Sequence, residues 1–82
     1  MRLDKYLKVS RIIKRRTIAN EACDAGRVVV NGKVQRASYE IKENDIFELQ
    51  LGPRTIKAKV VSINEYAKKD QAGELYEIIE EK

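Results

Sequence analysis

The hydrophobic positions of the chain change period partway along it. Advancing the first residues by ~100° each, as in a helix, gathers Leu3, Tyr6, Leu7, Ser10 and Ile13 on one side. Lys5, Lys8, Arg11, Arg15 and Arg16 gather on the other. This predicts a helix from Leu3 to Arg11 or Ile13, with Asp4 in the first turn, where a negative charge suits the helix dipole. Lys14, Arg15 and Arg16 read as a basic connection. Thr17 reads as the N-cap of a second helix over 18–25, closed by Gly26 in the left-handed conformation. Ile18, Ala19, Ala22 and Cys23 form that helix's apolar stripe, and Glu21 and Asp24 face away.

From Val28 onward the period falls to two. Asn31-Gly32 between β-prone runs is a strong hairpin signal, because a type I′ turn needs positive φ at both central residues. A polar link over 36–40 and a turn over 42–45 lead into a strand, Ile46–Leu51, in which Phe47, Leu49 and Leu51 share one face. Gly52-Pro53 turns the chain into a return strand from Arg54 to Ile63, with Ile56, Ala58 and Val60 on one side and solvated Lys57 and Lys59 on the other. Residues 64–73 read as a mobile link. Leu75–Ile79 reads as a last strand closing a sheet edge, and Glu80-Glu81-Lys82 as a frayed end. The whole is an α+β domain: two N-terminal helices packed on a small, mainly antiparallel sheet. Residues 1–63 form the body, and 64–82 form a linker and strand that complete it.

Charge adds direction to this picture. Residues 1–16 carry seven basic side chains against one acid, net +6, more than the +4 of all 82 residues. Residues 1–36 hold ten basic and three acidic side chains, net +7; residues 37–82 hold seven and ten, net −3. That asymmetry points to a front end that meets a polyanion and a back end that keeps the molecule soluble. A chain this short buries only roughly 60–65% of its unfolded surface, which leaves little room for a deep cleft. No histidine is present, removing the commonest general base and metal ligand. No phosphate-cradling loop, dinucleotide fingerprint, nucleophile elbow or metal-ligand spacing occurs, so neither an enzyme nor a cofactor is expected. The single Cys23 reads as a small buried hydrophobe rather than a reactive thiol. Tyr6 reads as core rather than a base-stacking platform. The lone Cys23, unable to form an internal disulfide, points to the cytoplasm, and the lack of an apolar run of roughly 18–20 residues argues against a membrane span.

The order of elements then resembles the S4 RNA-binding domain. The resemblance rests on Arg2-Leu3-Asp4-Lys5-Tyr6-Leu7, the helix-turn segment 11–25, Gly26-Arg27-Val28-Val29-Val30-Asn31-Gly32 and the turn ending at Asp45. Together these span about residues 1–51. Asn44 stands where the family usually has Gly; Asn tolerates positive φ, so the fold expectation is unaffected. The short chain, the Arg-Leu-Asp-Lys start and the Lys14-Arg15-Arg16-Thr17 turn look most like the branch that serves ribosome-associated quality control. The small heat-shock branch usually has a longer basic C-terminus, whereas here the C-terminus is acidic. The resemblance implies a monomeric factor on the large ribosomal subunit that contacts rRNA and a stalled peptidyl-tRNA. It would support an RqcH-like factor during alanine tailing. It maps RNA contacts onto Arg2 and Arg16. From the residues themselves, Arg11 and Arg15 join them as phosphate or base-edge contacts, because the planar guanidinium fork can make two bonds to one phosphate. Lys5, Lys8 and Lys14 tune attraction, and Arg27 and Lys33 are secondary candidates. Two other readings stay open: a general RNA chaperone of the heat-shock type, and a detached RNA-binding module of a separate RNA-modifying enzyme.

Overall fold

In the computed structural model, which describes residues 1–81, the first helix α1 spans Leu3–Val9. It is shorter than its apolar spacing predicts. The N–H of Ser10 reaches the Tyr6 carbonyl, its Oγ donates to the Leu7 carbonyl at 3.2 Å, and Arg11 then takes a left-handed φ of 61°. The reversal folds Ile13 back so that its N–H also meets the Leu7 carbonyl. Leu3, Tyr6, Leu7, Ser10 and Ile13 are all buried, so the expected stripe holds even where the helix does not.

Helix α2 spans Arg16–Asp24 and begins before Thr17: Arg15, in extended backbone, is its N-cap and supplies no side-chain cap. It ends as Gly26 predicts. Gly26 has φ 78°, its N–H meets the Cys23 carbonyl, and the Arg27 N–H meets the Ala22 carbonyl, the paired bonds of a Schellman motif. Ala19, Ala22 and Cys23 are buried, whereas Ile18, the fourth member of the expected stripe, is 48% exposed. Burial pushes the Cys23 thiol up to about 11, with Asp4 and Asp24 adding to the shift.

The helices cover a five-stranded antiparallel sheet of order β2-β1-β3-β4-β5, in which β1 is Val28–Val30, β2 Lys33–Val34, β3 Ile46–Leu51, β4 Arg54–Val60 and β5 Tyr76–Glu81. Asn31 and Gly32 have φ of 51° and 85°, as a type I′ turn requires. The Asn31 amide donates to Asp45 at 3.0 Å and its Oδ1 accepts from the Ile46 N–H, locking the hairpin to the turn before β3. In that turn Asn44 has φ 73°. Val28, Val30, Phe47, Leu49, Ala58 and Val60 form the sheet's side of the core. Tyr6 meets Phe47 edge to face, with ring centroids 6.0 Å apart.

Three stretches differ from expectation. The link over 36–40 is a clamp: the Tyr39 carbonyl accepts from the Leu3 N–H at 2.7 Å, the Ala37 carbonyl accepts from the Asp4 N–H, and Ala37 is buried. Strand β4 stops at Val60 rather than Ile63, and residues Lys69–Glu74 form a 3-10 helix with Ala72 buried where a mobile link is expected. Strand β5 continues through Glu80 and Glu81, which lie opposite Lys57 and Ile56, and Glu81 pairs with Arg54. These two are therefore not a frayed end; Lys82 lies outside the described residues.

Candidate nucleic-acid interface

One buried carboxylate organises the basic end of the molecule. Asp4 is 1% exposed. Arg2 grips it with two bonds, Nε to Oδ1 at 3.2 Å and Nη2 to Oδ2 at 3.4 Å. Across the helix pair, Arg16 Nε donates to Oδ2 at 3.4 Å and the Asn20 amide donates to the same oxygen at 3.2 Å. The Lys5 N–H completes the set at 2.8 Å, so Asp4 does serve the first turn of α1, but its larger part is to join α1 to α2.

Each member is placed by its backbone. Arg2 is the extended N-cap of α1, and Asp4 lies in that helix's first turn. Arg16 opens α2, and Asn20 follows four residues later on the same face. Burial by itself raises the Asp4 carboxyl. The Asn20 and Lys5 hydrogen bonds and the Arg16 and Arg2 charges outweigh it and hold the group below its ordinary 3.8. A single negative charge thus anchors two positive ones. Both guanidiniums keep about half of their side-chain surface in solvent, Arg2 49% and Arg16 48%. What faces outward is a net positive pair, set at fixed positions around a shallow depression that Thr17 and Glu21 also line.

The other predicted residues are distributed less evenly. Lys8, Arg11, Lys14 and Arg15 are exposed around the α1–α2 turn, with no ion-pair partner among the described residues. Lys5 is only half exposed and is tied to Glu65 at 3.4 Å. Arg27 is exposed just past α2, beside a second depression. Lys33 lies on β2, the sheet's outer strand, and is not gathered around Asp4. Lys57, expected to be solvated, faces Glu48 at 3.7 Å.

Sequence reasoning missed Asn20 and the inward role of Asp4. The four-residue spacing of Arg16 and Asn20 was a usable signal for the first. A lone acid within a seven-cation stretch was a usable signal for the second.

Comparison with known proteins agrees with this architecture. The S4 domain family matches residues 1–47. Over 81 residues the chain is 51% identical to the RQC P-site tRNA stabilizing factor of Streptococcus pneumoniae, covering 99% of this chain and 92% of that one. The protein of the same name from Listeria monocytogenes is 49% identical, over 99% of this chain and 88% of its own. Among solved structures, the trimeric heat shock protein 15 of Vibrio cholerae superposes with a TM-score of 0.88 at 25% identity, over 95% of this chain and 80% of that one.

Proposed function

This chain belongs to the S4 domain family and, within it, to the family of RQC P-site tRNA stabilizing factors, and we propose that it acts by binding rather than by catalysis. It holds the large ribosomal subunit that carries a stalled peptidyl-tRNA, contacting rRNA and tRNA together. It works in the cytoplasm as a monomer, beside an RqcH-like factor that extends the stalled chain with alanine. The observation that carries this reading is the Asp4-anchored pair of Arg2 and Arg16, charged, half in solvent and fixed in geometry.

The physical fit is to folded RNA. An RNA duplex hides its base edges in a narrow major groove, so proteins read it through phosphates, 2′-OH groups and shape. Two guanidinium groups set at a fixed spacing suit that target. Each can grip a phosphate through two bonds, and holding the side chains in place beforehand lowers the entropy lost on binding. Arg11 and Arg15 extend the contact along the turn, and Lys8 and Lys14 add unpaired charge. Lys5, already engaged by Glu65, contributes less. Arg27 and Lys33 are outlying contacts.

The test is co-sedimentation with purified large subunits bearing P-site tRNA. Arg16→Ala should lose association while remaining folded by circular dichroism, with a fall in melting temperature of a few degrees because it also removes one partner of the buried Asp4 carboxylate. Wild-type co-sedimentation by that variant would overturn the assignment. The likeness to heat shock protein 15 favours a second reading, a chaperone for free large subunits. Equal affinity for subunits with and without P-site tRNA would support that reading instead.

A further inference from the structure

Helix α2 has a second flank that the Asp4 cluster does not use. Ile18 belongs by spacing to the apolar stripe yet is 48% exposed, because the small residues Ala22 and Ala25 beside it leave a recess instead of a wall. Ile13 and Leu51 complete an apolar floor. Around the rim stand Arg27, Gln50 and Glu21, whose guanidinium, amide and carboxylate have no hydrogen-bond or ion-pair partner among the described residues. The Gln50 N–H meets the Arg27 carbonyl at 3.0 Å, so two of these rim residues are fixed to one another through the backbone.

We infer that this recess between α2 and the end of β3 receives one unpaired nucleobase of the bound RNA, a base carrying an exocyclic amino group. The inference rests on the RNA-binding reading above and extends it from backbone contact to base recognition. An aliphatic side chain from a protein would fill the floor but leave the three rim groups unmatched. A base matches all of them. Its flat face covers Ile18 and Leu51, its amino group donates to the Glu21 carboxylate, and the Gln50 amide can both donate and accept at the ring edge. The Arg27 guanidinium stacks on the base or holds its phosphate, as arginine does where single-stranded RNA bases are splayed out. Charge continuity supports the same occupant. Arg15 and Arg16 lie three and two positions before Ile18, and Arg27 lies just past the far end of the helix.

Chemical probing of purified large subunits bearing P-site tRNA tests this. Dimethyl sulfate reads the pairing edges of adenine and cytosine, and kethoxal reads that of guanine. The wild-type chain should protect at least one unpaired base. Ile18→Asp and Gln50→Ala should each restore that base's reactivity at saturating protein, and Ile18→Asp should weaken binding about five- to tenfold or more. Circular dichroism checks that both variants fold, and Gln50→Ala, at an exposed position, carries the test if Ile18→Asp does not. Unchanged protection and affinity in the folded variants, with Arg16→Ala still losing association, would overturn the base pocket and leave the RNA-binding reading standing. Weakened binding with every base protection intact would also overturn it, in favour of a protein occupant. Failure of the wild-type chain to bind subunits at all would remove both readings.

Discussion

The Tyr6 hydroxyl donates to the Leu75 carbonyl at 2.6 Å, joining residues 69 positions apart. The bond fastens helix α1, the base of the cationic face, to the segment that opens β5. Burial, with Tyr76 nearby, drives the Tyr6 phenol well above its ordinary range, so the donor stays protonated at any working pH.

Tyr6→Phe keeps the ring against Phe47 and removes only this bond. The Leu75 carbonyl would not be stranded, because it also accepts from the Val61 and Ser62 N–H groups. The expected cost is therefore about 1 kcal/mol, a fall in melting temperature of roughly 4–8 °C, with RNA affinity unchanged. Thermal melts and subunit binding on the same sample check both halves.

Asp4→Asn separates positioning from net charge. Removing the negative charge makes the chain more cationic, so simple attraction would tighten RNA binding. Binding should weaken instead, because Arg2 and Arg16 lose the carboxylate that orients them, and stability should fall by about 2 kcal/mol. Tighter binding by the variant would show that orientation by Asp4 is unimportant.

The same group sets an acid dependence. The Asp4 carboxyl is held below 3.8 in the folded state, so its contribution is complete above that value and is lost as pH falls through the lower folded one. The stability gap between wild type and Asp4→Asn should be constant from about pH 7 to pH 5 and should narrow at about pH 3. Denaturant midpoints at those three pH values measure it. A gap that does not shrink in acid would contradict the assignment.

Arg11 holds φ 61° with a full side chain, a conformation that costs roughly 1–2 kcal/mol for residues other than glycine. Arg11→Gly should leave stability equal or up to about 1 kcal/mol higher, while RNA affinity falls. A protein that is more stable but binds less well is the signature of backbone strain kept for a functional side chain.

The elements that sequence makes legible are those with local causes. Asn31-Gly32 dictates its hairpin, Gly26 its helix end, and the alternation of Phe47, Leu49 and Leu51 places β3 with the bounds the structure gives it. The end of α1 was not legible, because it rests on an arginine in left-handed backbone, which no propensity favours. The start of α2 lies one residue before the Thr17 cap that local preference predicts; Arg16, its first residue, pairs with an acid twelve positions earlier, a contact that no local pattern shows. Ile18 follows the buried period but lies where no strand or helix covers it. The clamp at Ala37 and Tyr39 depends on distant backbone partners and so had no local signature, whereas the 3-10 helix at Lys69–Glu74 is held by local bonds, the Gln71 side chain accepting from the Lys68 N–H among them. In the candidate site, the cations were legible as a cluster. Which of them are paired with Asp4, and which stand free, was not.

The central claim is that the face carrying Arg2 and Arg16 binds folded RNA by neutralising phosphates, and the salt dependence of large-subunit affinity tests it most directly. The logarithm of affinity should fall linearly with the logarithm of salt concentration, by roughly 0.7–0.9 per phosphate neutralised. Changing both Arg2 and Arg16 to Ala should flatten that slope by nearly two phosphates' worth and weaken binding at every salt concentration. An affinity indifferent to salt, or the same slope and strength in the double variant, would contradict the account.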